Sequence, residues 1–171
     1  MTGEPEPMTS EGHRAAGAGA VPGPEWCSVR FEPAGGPGDV PAIVVQERVR
    51  LSDTDSSGLI YYGAVTAWLT RAQAELYLAL GLRPCGLGPW PITPVVNANI
   101  SYHAQLGLAD PYELRAWVDE AGTTSLTIAF EVTRAGTRCV SARMTHVNLD
   151  PDTHRPAPLP PELAAAASRQ R

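Results

Sequence analysis

The stretch from Arg50 to Leu82, RLSDTDSSGLIYYGAVTAWLTRAQAELYLALGL, constrains this chain more than any other. Val65, Trp68, Leu69, Ala72, Leu76 and Leu80 recur at spacings of three and four, which lines up one apolar stripe on a helix, and Gly81 offers a C-terminal stop. The spacing predicts a helix of about five turns starting near Tyr62. A helix of that length with a single apolar face must lie on a broad apolar surface.

The flanking segments supply that surface. AIVVQERVRLS predicts a strand that stops at Leu51, with Val45, Val49 and Leu51 on one face and Gln46, Arg48 and Arg50 on the other. Beyond the Pro/Gly-rich connection RPCGLGPWP, four segments alternate as strands do: TPVVNANISYHAQ, PYELRAWVDE, TSLTIAFEVTR and TRCVSARMTHVNLD. Gly107 with Asp110-Pro111, then Ala121-Gly122, then Ala135-Gly136 mark the turns between them. The expected fold class is α+β, an antiparallel sheet of about five strands wrapped around one long central helix.

Composition narrows the domain plan and the chemistry. A chain of 171 residues with net charge -5 fits one globular domain and implies no nucleic-acid partner. All 13 basic residues are Arg, so no Lys is available for a Schiff base. Cys27, Cys85 and Cys139 lack paired spacing, which reads as buried reduced thiols with no disulfide framework or metal site. Residues 1–41, crowded with Gly, Pro, Ala and Glu, read as a flexible tail, although Trp26, Val29 and Phe31 suit a short extended piece docked on the domain. The working domain is expected at 42–150, followed by a Pro/Ala-rich tail at 151–171 in which ELAAAASRQR reads as a loose terminal helix. With no apolar leader in the first 20 residues and no run of about 18 apolar residues, the expectation is a cytoplasmic protein without a membrane span.

The junction of strand and helix is where chemistry is expected. A strand ending at Leu51 and a helix starting near Tyr62 leave Asp53 and Asp55 in a turn beside the helix's unpaired N–H groups, so a carboxylate and an oxyanion site can share one pocket. Asp and Ser also suit turns and caps, and on the residues alone Asp53, Ser56 and Ser57 read equally as punctuation. Elsewhere, Glu75 reads as structural, pairing with Arg71 four positions away or with a group on another subunit. His103 and His146 sit in strand segments without a second ligand at metal spacing, and read as satisfied strand histidines. Asn97 and Asn99, two apart, share one strand face. Tyr62, Trp68, Trp90 and Tyr102 read either as acyl-pocket walls or as ordinary core.

The order strand, D-x-D-x-x-G turn, long helix ending in A-L-G-L and antiparallel strands resembles the hotdog-fold thioesterases, in particular the 4-hydroxybenzoyl-CoA thioesterase group, over roughly residues 43–149. The residues that carry the resemblance are Asp53-Thr54-Asp55-Ser56-Ser57-Gly58, Ile60-Tyr61-Tyr62 and Pro94-Val95-Val96. It implies release of a carboxylic acid from an acyl-CoA or acyl-carrier-protein thioester, with Asp55 as nucleophile or general base. The backbone N–H of Tyr62 would polarise the thioester carbonyl, and Asp53 would brace the turn. Gly58, Tyr61, Gly63, Asn97 and Asn99 are the expected substrate contacts. The same resemblance implies no cofactor and no metal, and a homodimer or homotetramer with the site between subunits; the acyl group stays open between aromatic, fatty acid and polyketide, and related thioesterases of polyketide pathways keep a similar double-aromatic segment.

One departure concerns CoA. Family members that hold CoA commonly place basic residues in the turn before the second-last strand, and here that turn is Glu120-Ala121-Gly122-Thr123-Thr124, with no basic residue. Either arginines such as Arg138 or Arg143 substitute, or the acyl group arrives on a carrier protein. A hotdog protein that binds an acyl thioester without hydrolysing it, as a sensor or pathway accessory, is the alternative. A hotdog dehydratase fits less well, because no His lies in the turn or on the helix.

Overall fold

The computed structural model describes residues 27–33, 40–83 and 91–167. In chain order they form β1 (Ser28–Glu32), β2 (Ala42–Arg48), a short 3-10 helix (Leu51–Asp53), α1 (Tyr62–Ala79), β3 (Val95–Tyr102), β4 (Pro111–Ala121), β5 (Ser125–Arg134), β6 (Thr137–Val147) and α2 (Pro161–Ala167). The strands make one antiparallel sheet in the order β1-β2-β4-β5-β6-β3, so α1 carries the chain from one side of the sheet to its far edge.

α1 follows its apolar stripe: Val65, Trp68, Leu69, Ala72 and Leu76 are buried. Each large stripe side chain contributes about 1.5–3 kcal/mol by leaving water. The helix ends as the sequence requires, with Gly81 at φ 98, its N–H donating to the Leu78 carbonyl (3.1 Å) and the Leu82 N–H to the Tyr77 carbonyl (3.0 Å). That pair of bonds is a Schellman cap, and buried Leu82 seals it.

The stripe lies against the inner face of the sheet, where alternate residues of each strand point. Leu114, Ala116 and Val118 of β4, Ile128, Phe130 and Val132 of β5, and Val140, Ala142 and Met144 of β6 join α1 in one core cluster. Cross-strand pairing keeps the rows in register: Ala116 opposes Phe130, and Phe130 opposes Ala142. The β5–β6 hairpin closes through Ala135 (φ 48) and Gly136 (φ 79), the two positive-φ residues of a type I′ turn. A long helix cradled by an antiparallel sheet is the expected hotdog arrangement.

Three expectations change. The sheet has six strands, because the short extended piece expected at Val29 and Phe31 docks as β1 on β2, outside the expected 42–150 boundary, with Val29 opposite Val45 and Phe31 opposite Ile43. The C-terminal segment is also docked: Leu159, Leu163 and Ala166 are buried in the main core, and the Asn148 side-chain amide donates to the Pro158 carbonyl at 2.7 Å to turn the chain back. Finally, β2 stops at Arg48, and Leu51 is 75% exposed at the start of the 3-10 helix instead of sharing the inward face of Val45 and Val49. Beyond Arg48 the Val49 N–H still donates to the Asp110 carbonyl (2.9 Å), next in register after the Arg48–Pro111 pair, before the chain enters the 3-10 helix. Residues 1–26 and the expectations placed on Trp26, Cys85 and Trp90 lie outside the described residues. Among the described residues, no helix is long and apolar enough to cross a membrane.

Candidate active site

The acidic turn is a miniature hairpin. Thr54 and Ile60 form an antiparallel bridge, Asp55 and Leu59 are joined by a backbone bond of 3.0 Å, and the Gly58 N–H closes the turn on the Asp55 carbonyl at 3.0 Å. Gly58 adopts φ 77, the left-handed region that side-chain-bearing residues avoid. Because the hairpin folds back on itself, the chain leaves beside where it entered and runs directly into α1. Asp55 and the helix start therefore lie at one end of the molecule.

A second loop buttresses this turn. The Ile60 N–H donates to the Leu106 carbonyl (3.0 Å) and the Leu108 N–H to the Gly58 carbonyl (3.2 Å). Asp110 holds that loop from below, accepting from the Gly107 N–H at 2.9 Å and pairing with Arg134. Leu59, Ile60, Tyr102, His103 and Leu106 line a cavity of about 230 Å³ between turn and β3. The sequence carried no signal for this buttress, whose members come from separate segments.

The two carboxylates divide their work. Asp53 Oδ2 accepts from the Arg50 N–H (2.9 Å), which pins the 3-10 helix, and its carbonyl accepts from the Tyr61 N–H (3.3 Å). Asp55 is exposed, and its Oδ1 takes both the N–H (2.8 Å) and the hydroxyl (2.5 Å) of Ser57. No protein donor among the described residues reaches its Oδ2. The Ser57 hydroxyl, then the Ser57 N–H, hold the Asp55 carboxyl below its ordinary value of 3.8, so it is ionised at neutral pH.

α1 begins without a side-chain cap at Tyr61 and without an acid in its first turn. The Tyr61 carbonyl takes the N–H groups of Ala64 (3.1 Å) and Val65 (3.3 Å). Among the described residues, the N–H groups of Tyr62 and Gly63 find no acceptor, and the helix dipole adds positive potential at the same point. A Cβ on Gly63 would come within 2.5 Å of Tyr61 Cε2, so the 39% exposed Tyr61 ring, which lies over the first turn, would have to shift. Tyr62 is 77% exposed and meets Tyr61 edge to face at 6.1 Å. Asp55, Gly58, Tyr61, Tyr62 and Gly63 are thus assembled on one hairpin and one helix start.

Asn97 and Asn99 are not brought to it within one protomer. Asn99 opposes Arg143, whose neighbours Ala142 and Met144 face the core, so both asparagines lie on the outer face of the edge strand β3. Trp68 is core, stacked on Tyr112 at 4.4 Å, whereas Tyr102 is half-exposed at the cavity. His103 bonds the Ser141 hydroxyl at 2.8 Å. Buried His146 pairs through Nδ1 with the Thr93 carbonyl (2.9 Å), and desolvation lowers its pKa and keeps it neutral. Of the thiols, Cys139 is buried and Cys27 partly so, both free. Among the described residues no cluster of three or more potential metal ligands occurs.

The expected Glu75–Arg71 pair is absent, because Arg71 reaches Glu47 instead (3.3 Å). Glu47 is 4% exposed and was overlooked, although the alternation Val45, Glu47, Val49 places it on the inward face of its strand. Arg138 pairs with Glu131 (2.6 Å) toward the β5–β6 hairpin, and Arg143, nearer the β4–β5 turn, pairs with Asp119 and Glu120, so the two candidate phosphate ligands already hold acids.

Residues 49–167 match the Thioesterase-like superfamily, well over half of the chain. The chain belongs to that superfamily. The thioesterase is 25% identical over 126 residues to a 1,4-dihydroxy-2-naphthoyl-CoA hydrolase of Acaryochloris marina, covering 71% of this chain and 92% of the relative. A predicted thioesterase from Bacillus stearothermophilus superimposes with a TM-score of 0.64 at 25% identity, covering 72% of this chain and 92% of that one. A 4-hydroxybenzoyl-CoA thioesterase variant, solved with 4-hydroxybenzoyl-CoA, shares the fold with a TM-score of 0.66 at 20% identity, covering 74% and 99%. Family and fold together make this protein a hydrolase of acyl thioesters.

Proposed function

We propose that the enzyme hydrolyses an acyl-CoA thioester at the junction of the acidic turn and α1, with Asp55 as the catalytic carboxylate. The observation that carries this is the pairing of an anchored, ionised carboxylate having one free oxygen with a helix start that offers two unused N–H groups. The thioester carbonyl oxygen accepts from the Tyr62 N–H, where the negative charge of the tetrahedral intermediate is stabilised. Asp55 Oδ2 either takes a proton from the attacking water or attacks the carbonyl carbon itself; the C–S bond then breaks and the thiolate leaves without an acid partner, and on the second route water hydrolyses the resulting mixed anhydride to free the acid and Asp55. Gly58, Tyr61 and Gly63 line the approach. The CoA and aromatic acyl groups named for the relatives support an acyl-CoA substrate.

A carrier-bound acyl group is the second reading, favoured by one observation: the β4–β5 turn has no basic residue, and Arg138 and Arg143 are engaged by acids. In either case the working form is a dimer or tetramer, in which β3 meets a second copy and Asn97 and Asn99 approach the partner's site. The test is free-thiol release from aromatic, short and long acyl-CoA esters and from acyl-carrier protein, run beside thermal-shift binding. Turnover of a CoA ester supports the first reading, and turnover of the carrier ester alone the second. Stabilisation by ligand with no thiol release overturns hydrolysis and leaves a binding protein.

A further inference from the structure

We propose that Glu47 is a positioning residue that holds the Asp55 turn in register with the N-terminal end of α1. This rests on the site proposed above. That site needs a fixed relation between a carboxylate on a loop and N–H groups on a helix, two separate elements that the hairpin alone joins. Glu47 lies on the inward face of β2, 4% exposed, and links the root of the turn to the helix through its partners Arg50 and Arg71. A carboxylate buried there is tolerable only with full pairing.

Its partners come from three elements. Oε1 pairs with Arg50, the residue from which the 3-10 helix springs and whose N–H Asp53 pins. Oε2 takes the Arg71 guanidinium of α1 (3.3 Å) and the Tyr112 hydroxyl of β4 (3.0 Å). Tyr112 in turn stacks on Trp68 of α1, with ring centroids 4.4 Å apart. Burial, then the Glu47 charge, push the Tyr112 hydroxyl pKa far up, which keeps it a donor. One carboxylate therefore ties the root of the acidic turn and the shaft of the helix to the same point of the sheet. Buried ion pairs seldom add net stability over apolar packing, so geometric definition is the role that this arrangement serves best.

The experiment is steady-state kinetics of Glu47→Gln on the best thioester, well below the unfolding temperature, with circular dichroism to confirm the fold and Asp55→Asn assayed in parallel. The expected result is a kcat lowered at least about tenfold with KM within about threefold, as small misplacements of reacting groups produce. Arg50→Gln and Arg71→Gln, which change half-exposed side chains, are expected to lower kcat likewise, with partial recovery in Arg50→Lys and Arg71→Lys. If Glu47→Gln folds and keeps wild-type kcat while Asp55→Asn is inactive, Glu47 does not position the site and only this inference falls. If Glu47→Gln does not fold, wild-type kcat in both Arg→Gln variants overturns it. If Asp55→Asn itself retains turnover, the site assignment fails first.

Discussion

At the scale of single residues, the candidate site turns on how one side chain is held. Ser57 occupies Asp55 Oδ1 through two bonds and leaves Oδ2 open for the proposed chemistry. Because these bonds stabilise the ionised form, the folded pKa lies below 3.8, and activity is retained through neutral pH and lost only as pH falls through that lowered value. The acid limb of kcat/KM reports this directly. Ser57→Ala removes the largest contribution, so its limb is expected at higher pH than the wild type's, toward 3.8; an unmoved limb would mean that another group controls it. The sequence marks Asp55 as the candidate because a turn beside a helix start and a family resemblance coincide on it. The alternation Val45, Glu47, Val49 marks Glu47 as inward-facing, but nothing local in the sequence shows what pairs it. A charged residue between Val45 and Val49 looks like an interruption of the pattern, and the arginines that satisfy it are 3 and 24 positions away.

At the scale of elements, α1 and β4 to β6 follow from sequence because each buries a periodic face large enough to declare itself. β1 and α2 do not. β1 is five residues at a sheet edge with four of them exposed, and α2 is seven residues held chiefly by Leu163 and Ala166. Such pieces owe their order to what they touch, which periodicity cannot show. The turn between β2 and α1 depends instead on backbone conformation. Gly58→Ala meets no steric neighbour within 4 Å, but the left-handed φ of 77 disfavours a side chain. A loss of about 1–2 kcal/mol in denaturant unfolding is expected. Unchanged stability would mean that the turn relaxes into another form.

At the scale of the molecule, β3 lies at the edge of the sheet, with Val96 60% and Val95 45% exposed. An exposed strand edge of this kind invites pairing, and the proposed dimer covers it with a second copy. Val96→Asp places a charge in that seam, so light scattering is expected to show monomers and the thiol-release rate to fall. A fully active monomer would remove the second subunit from the mechanism. How the asparagines of β3 would meet the acidic turn in the proposed dimer was not legible, because such a relation is set between chains. The chemistry itself is tested most directly by the turnover number of Asp55→Asn, a substitution at an exposed position that keeps side-chain size. If the Asp55 carboxylate does the work, kcat falls by about 10²–10⁴ while the melting temperature stays near wild type. A folded Asp55→Asn enzyme within about threefold of wild-type kcat would contradict that role, since a contribution of such size cannot vanish unnoticed.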